Sequence, residues 1–309
     1  MYPFWDVIIK PTLERLKPKV IVEVGSEAAN STVHLARFCQ EHGAVLHSID
    51  PAPKFDVQEF SARFPGCFVF HKAKSLDALP QIEHYDAVLI DGDHNWYTVF
   101  NELRLLESRD RTTGPEFPLV FLHDVGWPYG RRDLYYDPAA IPEKFRHPYA
   151  RRGMHPDHKE LLPVGGLNAG LNNALKEGTA RNGVLTAVED FLAQSSIPFE
   201  FWTLPGLSGL GFLIPKRLFK KNPALHEYLQ RWRLPEDVLR YLSLLEDFRI
   251  RGILRLLHVQ QTLGRQNRVL SERVYELENV VRKLTADLHN AQTQLQQLQS
   301  GSTNPQQTQ

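Results

Sequence analysis

Short apolar runs alternate with helical patterns over the first 125 residues of the chain. The runs are rich in Val, Ile, Leu and Phe, and each stops at a turn-forming or polar residue. The five predicted strands are residues 20–25, 44–49, 67–71, 87–90 and 118–122. Strands that alternate with helices through short connections predict βαβ units and a parallel sheet.

The pattern changes after residue 125. Residues 126–183 are rich in Pro, Gly, Arg, Tyr and His and show little apolar periodicity. So long an irregular stretch inside a domain predicts a functional lid, and its aromatic residues argue against disorder. A helical pattern over 184–193 and a strand pair at 199–204 and 211–214 follow it. We therefore predict a Rossmann-like, doubly wound, mostly parallel sheet with an antiparallel last strand, in an α/β domain spanning residues 1–217 with the lid as an insertion.

The C-terminal region, residues 218–299, predicts a helical linker followed by a coiled coil. Apolar residues recur in steps of four and three from residue 263 to residue 298, with leucine mostly at d positions and Val274 and Val281 at a positions. This combination favours a parallel two-stranded coil, in which Asn267 at an a position can set the register. The coil is expected to form a homodimer or to bind a partner protein. A single helix packed back on the domain remains an alternative, and residues 300–309 predict a disordered tail.

Composition narrows the class of protein. The formal net charge is zero, from 36 basic and 36 acidic residues, so nothing indicates a nucleic-acid partner. Cys39 and Cys67 are too few for a disulfide framework and fit a reducing compartment. The N-terminus lacks a secretory pattern, and no apolar run has the length of a membrane span. We expect a cytoplasmic protein without a transmembrane segment.

Candidate chemistry is concentrated where the fourth strand ends. The apolar run closes abruptly in Asp91-Gly92-Asp93-His94. In open parallel sheets the carboxyl ends of the strands form the ligand-binding crevice. Two acids and an imidazole there predict a metal site or a general-base site. The alternative is an ordinary turn in which Asp93 or Asn95 caps the next helix.

The loop after the first strand argues against a dinucleotide. A dinucleotide fingerprint needs three glycines for close approach to a pyrophosphate, but Glu27 and Asn30 occupy the second and third positions. The Glu27 carboxylate would also repel a diphosphate at the helix N-terminus. A cofactor with an amino acid head and a sulfonium cation fits a loop flanked by Glu23 and Glu27 better.

Two further residues occupy positions suited to a nucleoside. Asp50 ends the second strand and is predicted to accept the ribose hydroxyls of an adenosine, although Asp50-Pro51 could also be only a turn. Ser75 opens the helix after the third strand, where it could cap that helix or contact an adenine edge.

These motifs together resemble a class I S-adenosylmethionine-dependent methyltransferase. The resemblance is to the branch of macrolide-sugar O-methyltransferases and cephalosporin-hydroxylase-like proteins, and more distantly to catechol-type enzymes. It covers roughly residues 20–125 and 184–215, and its most specific part is Asp-x-x-His after the fourth strand with Asp124 after the fifth. The cofactor-binding residues that it implies are Glu23, Gly25, Ser26, Ser31, Asp50, Ser75 and Asp91.

The resemblance also implies a divalent cation and a general base. Asp91 and Asp124 would hold Mg²⁺ or another divalent cation, and His94 would take the proton of the acceptor hydroxyl. Two positions depart from the family pattern. Val125 stands where catechol-type enzymes have Asn, and His123 stands where the sugar-modifying relatives have an acid. The predicted metal ligands are Asp91, His123 and Asp124.

The lid supplies the candidate acceptor-binding residues. Aromatic faces and bidentate arginines are suited to a carbohydrate or to a glycan carrying phosphate, and loops commonly carry function. A basic, solvated loop packed by its own tyrosines is the alternative. The predicted substrate-binding residues are Trp127, Tyr129, Arg131, Arg132 and Tyr135.

We therefore predict an S-adenosylmethionine-dependent O-methyltransferase that acts on a hydroxyl of a sugar or glycan. A non-catalytic scaffold, with a degenerate methyltransferase domain and a working coiled coil, remains open. So does an oxygenase-type enzyme of the cephalosporin-hydroxylase-like kind. A nicotinamide dehydrogenase is disfavoured because the glycines are missing.

Overall fold

A computed structural model describes residues 1–112 and 116–301. The chain divides into two compact units, residues 1–254 and 255–309. The first unit contains a seven-stranded sheet in the order β3-β2-β1-β4-β5-β10-β9. The strands of this sheet are β1 (Val20–Val24), β2 (Val45–Ile49), β3 (Phe68–His71), β4 (Ala87–Ile90), β5 (Leu119–His123), β9 (Phe199–Leu204) and β10 (Leu210–Pro215).

Helices cover both faces of this sheet. Alternate residues of each strand point to opposite faces, so Ile21 and Leu89 enter one apolar core while Val22 and Val88 enter the other. Because both faces are covered, β4 is buried at all four positions and reads as a continuous apolar run. The helices of the first unit are α1 (Lys10–Leu16), α2 (Thr32–His42), α3 (Val57–Arg63), α4 (Ser75–Ala78), α5 (Trp96–Thr112), α6 (Val184–Gln194), α7 (Lys216–Lys221) and α8 (Pro223–Gln230).

Strand pairing confirms the predicted fold class. The pairs β1–β2, β1–β4, β2–β3 and β4–β5 are parallel. The last strand in the chain, β10, is antiparallel, as predicted, and lies between β5 and β9 rather than at the edge. The carboxyl ends of β1, β4 and β5 therefore meet at one edge of the sheet.

The lid contains regular structure that the sequence pattern did not predict. A three-stranded antiparallel sheet in the order β6-β8-β7 is formed by β6 (Leu134–Tyr135), β7 (Tyr149–Arg151) and β8 (Asn172–Ala174). These strands of two or three residues are too short for a period-two pattern to be visible.

The helical region after residue 215 begins within the first unit. Phe219 of α7 and Leu225 and Leu229 of α8 are buried in the same core as α1 and α2, so the compact unit continues beyond residue 217. After Pro235, α9 (Glu236–Gly301) extends as one helix of 66 residues. From residue 302 onward the predicted tail lies outside the described residues. None of the helices in the described ranges combines the length and apolar character that a bilayer crossing requires.

Candidate active site

Four polar side chains converge at the shared edge of β1, β4 and β5. His123 Nδ1 lies 3.1 Å from Asp91 Oδ1 and 2.8 Å from Asp124 Oδ2. His94 Nδ1 lies 3.4 Å from the same Asp124 oxygen. Asp124 has a left-handed backbone with φ of 57°, which turns the chain sharply out of β5. The structure thus brings together the predicted base and the three predicted metal ligands.

The charges of this cluster are strongly coupled. Burial lowers the pKa of His123, but the attraction of Asp91 and Asp124 outweighs it and raises this pKa to about 10. Burial raises the pKa of Asp91, yet His123 and neighbouring positive charges bring it below its usual range. One of those charges is the N-terminal amino group of Met1, 2.6 Å from Asp91 Oδ2. Positive groups thus surround the Asp91 carboxylate.

The donor set fits a divalent cation. One ligand atom each from Asp91, His123 and Asp124 lies within 4.8 Å of the other two. Two carboxylates suit a hard cation, and the imidazole extends the choice toward transition metals. The metal assignment remains a prediction.

His94 is held in place from several sides. Its ring stacks on Tyr129 with centroids 5.6 Å apart and planes 6° apart, and Tyr136 lies 5.8 Å away. Its backbone carbonyl accepts a hydrogen bond from Leu134 N. The next residue, Asn95, caps α5 through a bond from Thr98 N, as one alternative in the sequence proposed. Capping and site residues therefore coexist in the same turn.

The loop after β1 approaches the tip of β4 closely. A Cβ on Gly25 would lie 2.3 Å from the carbonyl oxygen of Asp91, and φ at Gly25 is 89°, so only glycine fits. Glu27 adopts φ of 43°, a left-handed conformation that costs roughly 1–2 kcal/mol for a residue with a side chain. Glu27 thus adopts a backbone conformation typical of glycine, at the position where a dinucleotide fingerprint has its second glycine.

Asp50 organises this loop. Its Oδ2 accepts bonds from Ser26 N at 3.0 Å and Glu27 N at 2.8 Å, and its Oδ1 accepts one from Ala52 N at 2.8 Å. Each carboxylate oxygen has two lone pairs, so Oδ1 retains capacity for a further donor. The ribose role predicted for Asp50 is compatible with this arrangement and remains a prediction.

The other predicted cofactor residues are placed as follows. Glu23 is buried, accepts a bond from Ser48 Oγ at 2.9 Å, and has its pKa raised to about 7 by burial. Ser31 is the N-cap residue of α2 and makes no side-chain capping bond. Ser75 is buried as the first residue of α4, whose N-cap is Lys74. Next to Ser75 lies Glu102, whose pKa burial raises to about 8. Glu102 was not predicted from the sequence, because this residue occupies an ordinary position within a helix.

The predicted lid residues divide into two groups. Trp127 and Tyr129 line a cavity beside Asp124. By contrast, Arg131 pairs with Glu189, and the fully buried Arg132 donates to the backbone carbonyl of Ala174 and, at 2.7 Å, to that of Lys159. The contacts of Arg131 and Arg132 are internal to the protein.

Tyr135 belongs to the second group. Its hydroxyl donates to Asp133, which also accepts bonds from Trp96 N at 2.8 Å and Gly183 N at 2.6 Å. Burial raises the pKa of Asp133 to about 6. Asp133 therefore ties the lid to the starts of α5 and α6, and Tyr135 supports that junction.

The cavity has a volume of about 230 Å³. Asp124 belongs both to the wall of this cavity and to the cluster of Asp91, His123 and Asp124. Tyr129 also lines the cavity and stacks on His94, the predicted base. The lining residues from the later part of the lid and from α9 were not predicted from the sequence. Its lining residues are Asp124, Trp127, Pro128, Tyr129, Leu167, Asn168, Ser208, Arg249, Ile250 and Ile253.

Fold and site together define an α/β enzyme of the Rossmann-like type, with a polar centre at the carboxyl ends of its strands. Residues 22–125 match the family model of a methyltransferase domain. The match spans Asp50, Asp91, His94 and Asp124, and it confirms the predicted class. Residues 22–125 are thus similar to a methyltransferase domain, and the rest of the chain lies outside the match.

A search of solved structures finds methyltransferases at low identity and with low TM-scores. The methyltransferase PaMTH1 from Podospora anserina is 13% identical, with a TM-score of 0.42 over 66% of this chain and 74% of that one. The O-methyltransferase TomG from Streptomyces achromogenes is 15% identical, with a TM-score of 0.35 over 66% and 76%. The 1,6-didemethyltoxoflavin-N1-methyltransferase from Burkholderia thailandensis is 12% identical, with a TM-score of 0.36 over 67% and 75%. Comparison with curated protein sequences gives no match.

Proposed function

We propose that the protein transfers a methyl group from S-adenosylmethionine to a hydroxyl of a sugar or glycan, with His94 as general base. The observation that carries this proposal is the contact of His94 with Asp124 beside a cavity, within a methyltransferase domain. A base must lie within reach of the proton that it removes, and His94 lies beside the lid rings of Tyr129 and Tyr136, next to the cavity that Tyr129 lines.

The proposed chemistry follows from the two ring nitrogens of His94. Nδ1 faces the Asp124 carboxylate, which favours the tautomer with a proton on Nδ1. Nε2 is then free to take the proton of the substrate hydroxyl. As that proton moves to Nε2, the acceptor oxygen bonds to the methyl carbon. The carbon–sulfur bond breaks, and its electron pair returns to sulfur as the neutral thioether. Asp124 stabilises the imidazolium that forms.

A divalent cation would be held by Asp91, His123 and Asp124. When bound there, it would lower the pKa of the acceptor hydroxyl and orient its oxygen. Tyr129 and Tyr136 would exclude water around the base, and Trp127 would supply a flat surface for the acceptor ring.

The acceptor assignment can be tested with labelled S-adenosylmethionine and four acceptors: two methyl glycosides (methyl glucoside and methyl rhamnoside), glucose 6-phosphate and catechol. We expect label on a methyl glycoside, and about a hundredfold loss of rate after EDTA treatment that magnesium or manganese restores, since a Lewis acid contributes several kcal/mol. Label on catechol alone would refute the sugar acceptor. A rate indifferent to EDTA would refute the metal. Cofactor binding without transfer to any of them would favour the scaffold.

We also propose that α9 pairs two copies of this chain as a parallel coiled coil. In the second unit the heptad leucines and valines expose between 50% and 75% of their surface, including Leu263, Leu277 and Leu298. So long an apolar seam is typical of an interface. In a parallel pair Asn267 would meet its own copy, and Arg273 at g would face Glu278 at e of the partner helix.

Charge exchange tests both the pairing and its direction. Arg273→Glu or Glu278→Arg alone would create two repulsive pairs at roughly 0.5–1 kcal/mol each, so we expect about tenfold weaker dimerisation by sedimentation equilibrium. The double variant should recover the wild-type dissociation constant, and Arg268→Glu, at an outer b position, should leave it unchanged. A monomeric wild-type protein would contradict the pairing, and a double variant as weak as the single ones would contradict the parallel direction.

A further inference from the structure

The cavity beside Asp124 is lined in part by a helix that lies outside the matched methyltransferase domain. Arg249, Ile250 and Ile253 of α9 form one wall. Trp127 and Tyr129, at the start of the lid, also line the cavity. All of these residues lie within the first compact unit. The acceptor side of the site is therefore built partly from a segment that the family model does not cover.

The guanidinium of Arg249 is held in position at this wall. Glu246 accepts bonds from Arg249 Nε at 2.6 Å and Nη2 at 2.7 Å. The same carboxylate accepts a bond from Ser208 N at 3.0 Å, which anchors it to the loop before β10. These bonds leave Arg249 Nη1 outside the pair with Glu246. A bidentate pair of this kind fixes the plane of the guanidinium and the direction of its remaining donors.

The charges of the cavity do not favour an anionic ligand. Arg249 is compensated by Glu246, and Asp124 adds a negative charge at the other end. A phosphate or carboxylate on the acceptor would therefore meet no uncompensated cation among the cavity-lining residues. A neutral acceptor avoids this cost.

The polar groups of the cavity include donors suited to acceptor oxygens. Arg249 Nη1 is the donor left over from the pair with Glu246. Asn168 Nδ2 donates to Tyr129 Oη at 2.8 Å, which leaves the Asn168 carbonyl oxygen to accept a hydroxyl. The apolar wall of Ile250, Ile253 and Leu167 suits the C–H face of a ring.

We infer that Arg249 and Asn168 determine acceptor specificity by forming hydrogen bonds with the oxygens of a neutral, polyhydroxylated ring. This inference rests on the proposed function and deepens it, because it assigns the non-reacting oxygens of the acceptor to α9 and the lid. The volume of about 230 Å³ lies below the roughly 300–1,000 Å³ usual for larger ligands, which fits one ring in the cavity.

Binding and turnover with two probes test the inference. The probes are methyl glucoside and glucose 6-phosphate, and binding is followed by the indole N–H resonance of Trp127, identified by its loss in Trp127→Phe. We expect methyl glucoside to shift this resonance and Arg249→Ala to weaken its binding about tenfold, as loss of one charge-assisted hydrogen bond implies. Arg249→Lys should recover part of the loss. Glucose 6-phosphate should bind no tighter than methyl glucoside.

Arg251→Ala is the matched control, because Arg251 lies on the same helix but pairs with Asp157 and Asp247 away from the cavity. It should bind methyl glucoside as the wild type does, and all variants should keep the wild-type affinity for S-adenosylmethionine. Unchanged binding in Arg249→Ala, tighter binding of glucose 6-phosphate, or no shift of the Trp127 resonance would each overturn the inference. If glycosides are methylated with an unchanged KM in Arg249→Ala, the proposed function stands and only the role of Arg249 fails.

Discussion

Replacing His94 with alanine is expected to lower kcat by about 100-fold to 10,000-fold, the usual range for loss of a general base. The affinity for S-adenosylmethionine should change less than about threefold, because the side chain of His94 contacts Asp124 and the lid tyrosines rather than the loop after β1. The measurements are single-turnover methyl transfer to the best glycoside and calorimetric titration with S-adenosylmethionine.

Two comparison variants separate a base from a positioning residue. His94→Gln keeps a polar side chain of similar reach but cannot take a proton, so it should be as inactive as His94→Ala. His84→Ala is the matched control, since His84 is half-exposed at the opposite end of β4 and pairs with Asp86. A His94→Gln enzyme with near wild-type kcat would contradict the base assignment. Parallel loss of activity and cofactor affinity would show that His94 instead binds the cofactor.

The polar centre could be predicted from sequence because its members all stand at strand ends. Asp91 and His94 follow β4, and Asp124 follows β5, which pairs with β4 in parallel. The carboxyl ends of neighbouring parallel strands meet at one edge, so local sequence position implies spatial proximity. Only the order of the strands is needed to place these residues. The residues that can be predicted in this way are therefore those that the sheet itself positions.

The far wall of the cavity could not be predicted in this way. Ser208 lies near Asp124 because β10 pairs with β5 and Gly126 N donates to the Ser208 carbonyl. Arg249 joins them because α9 docks against the same loop through Glu246. No periodic pattern encodes that contact, since Arg249 has the sequence context of an ordinary charged residue on a helix. The packing of segments that are distant in the sequence determines this contact.

The lid shows why composition alone is a weak guide to roles. Arg131, Arg132 and Tyr135 have the residue types expected of a carbohydrate site, yet their contacts in the structure are internal. A buried arginine can satisfy backbone carbonyls as readily as it binds a ligand, and only burial distinguishes the two. Tyr136, which was not among the predicted substrate residues, lies beside His94 instead.

Calorimetric titration with S-adenosylmethionine tests the central claim most directly. We expect one site per chain with a dissociation constant in the micromolar range. Asp50→Ala should weaken binding at least about tenfold, because it removes an acceptor for the ribose and the support for the loop after β1. Asp56→Ala is the matched control, since Asp56 also accepts two backbone bonds, at the start of α3, but lies outside the site.

We expect the wild type, His94→Ala and Asp56→Ala to bind S-adenosylmethionine similarly and Asp50→Ala to bind it weakly, with all four proteins folded by circular dichroism. Absence of binding heat in the folded wild type at millimolar S-adenosylmethionine, with and without magnesium, would contradict this expectation.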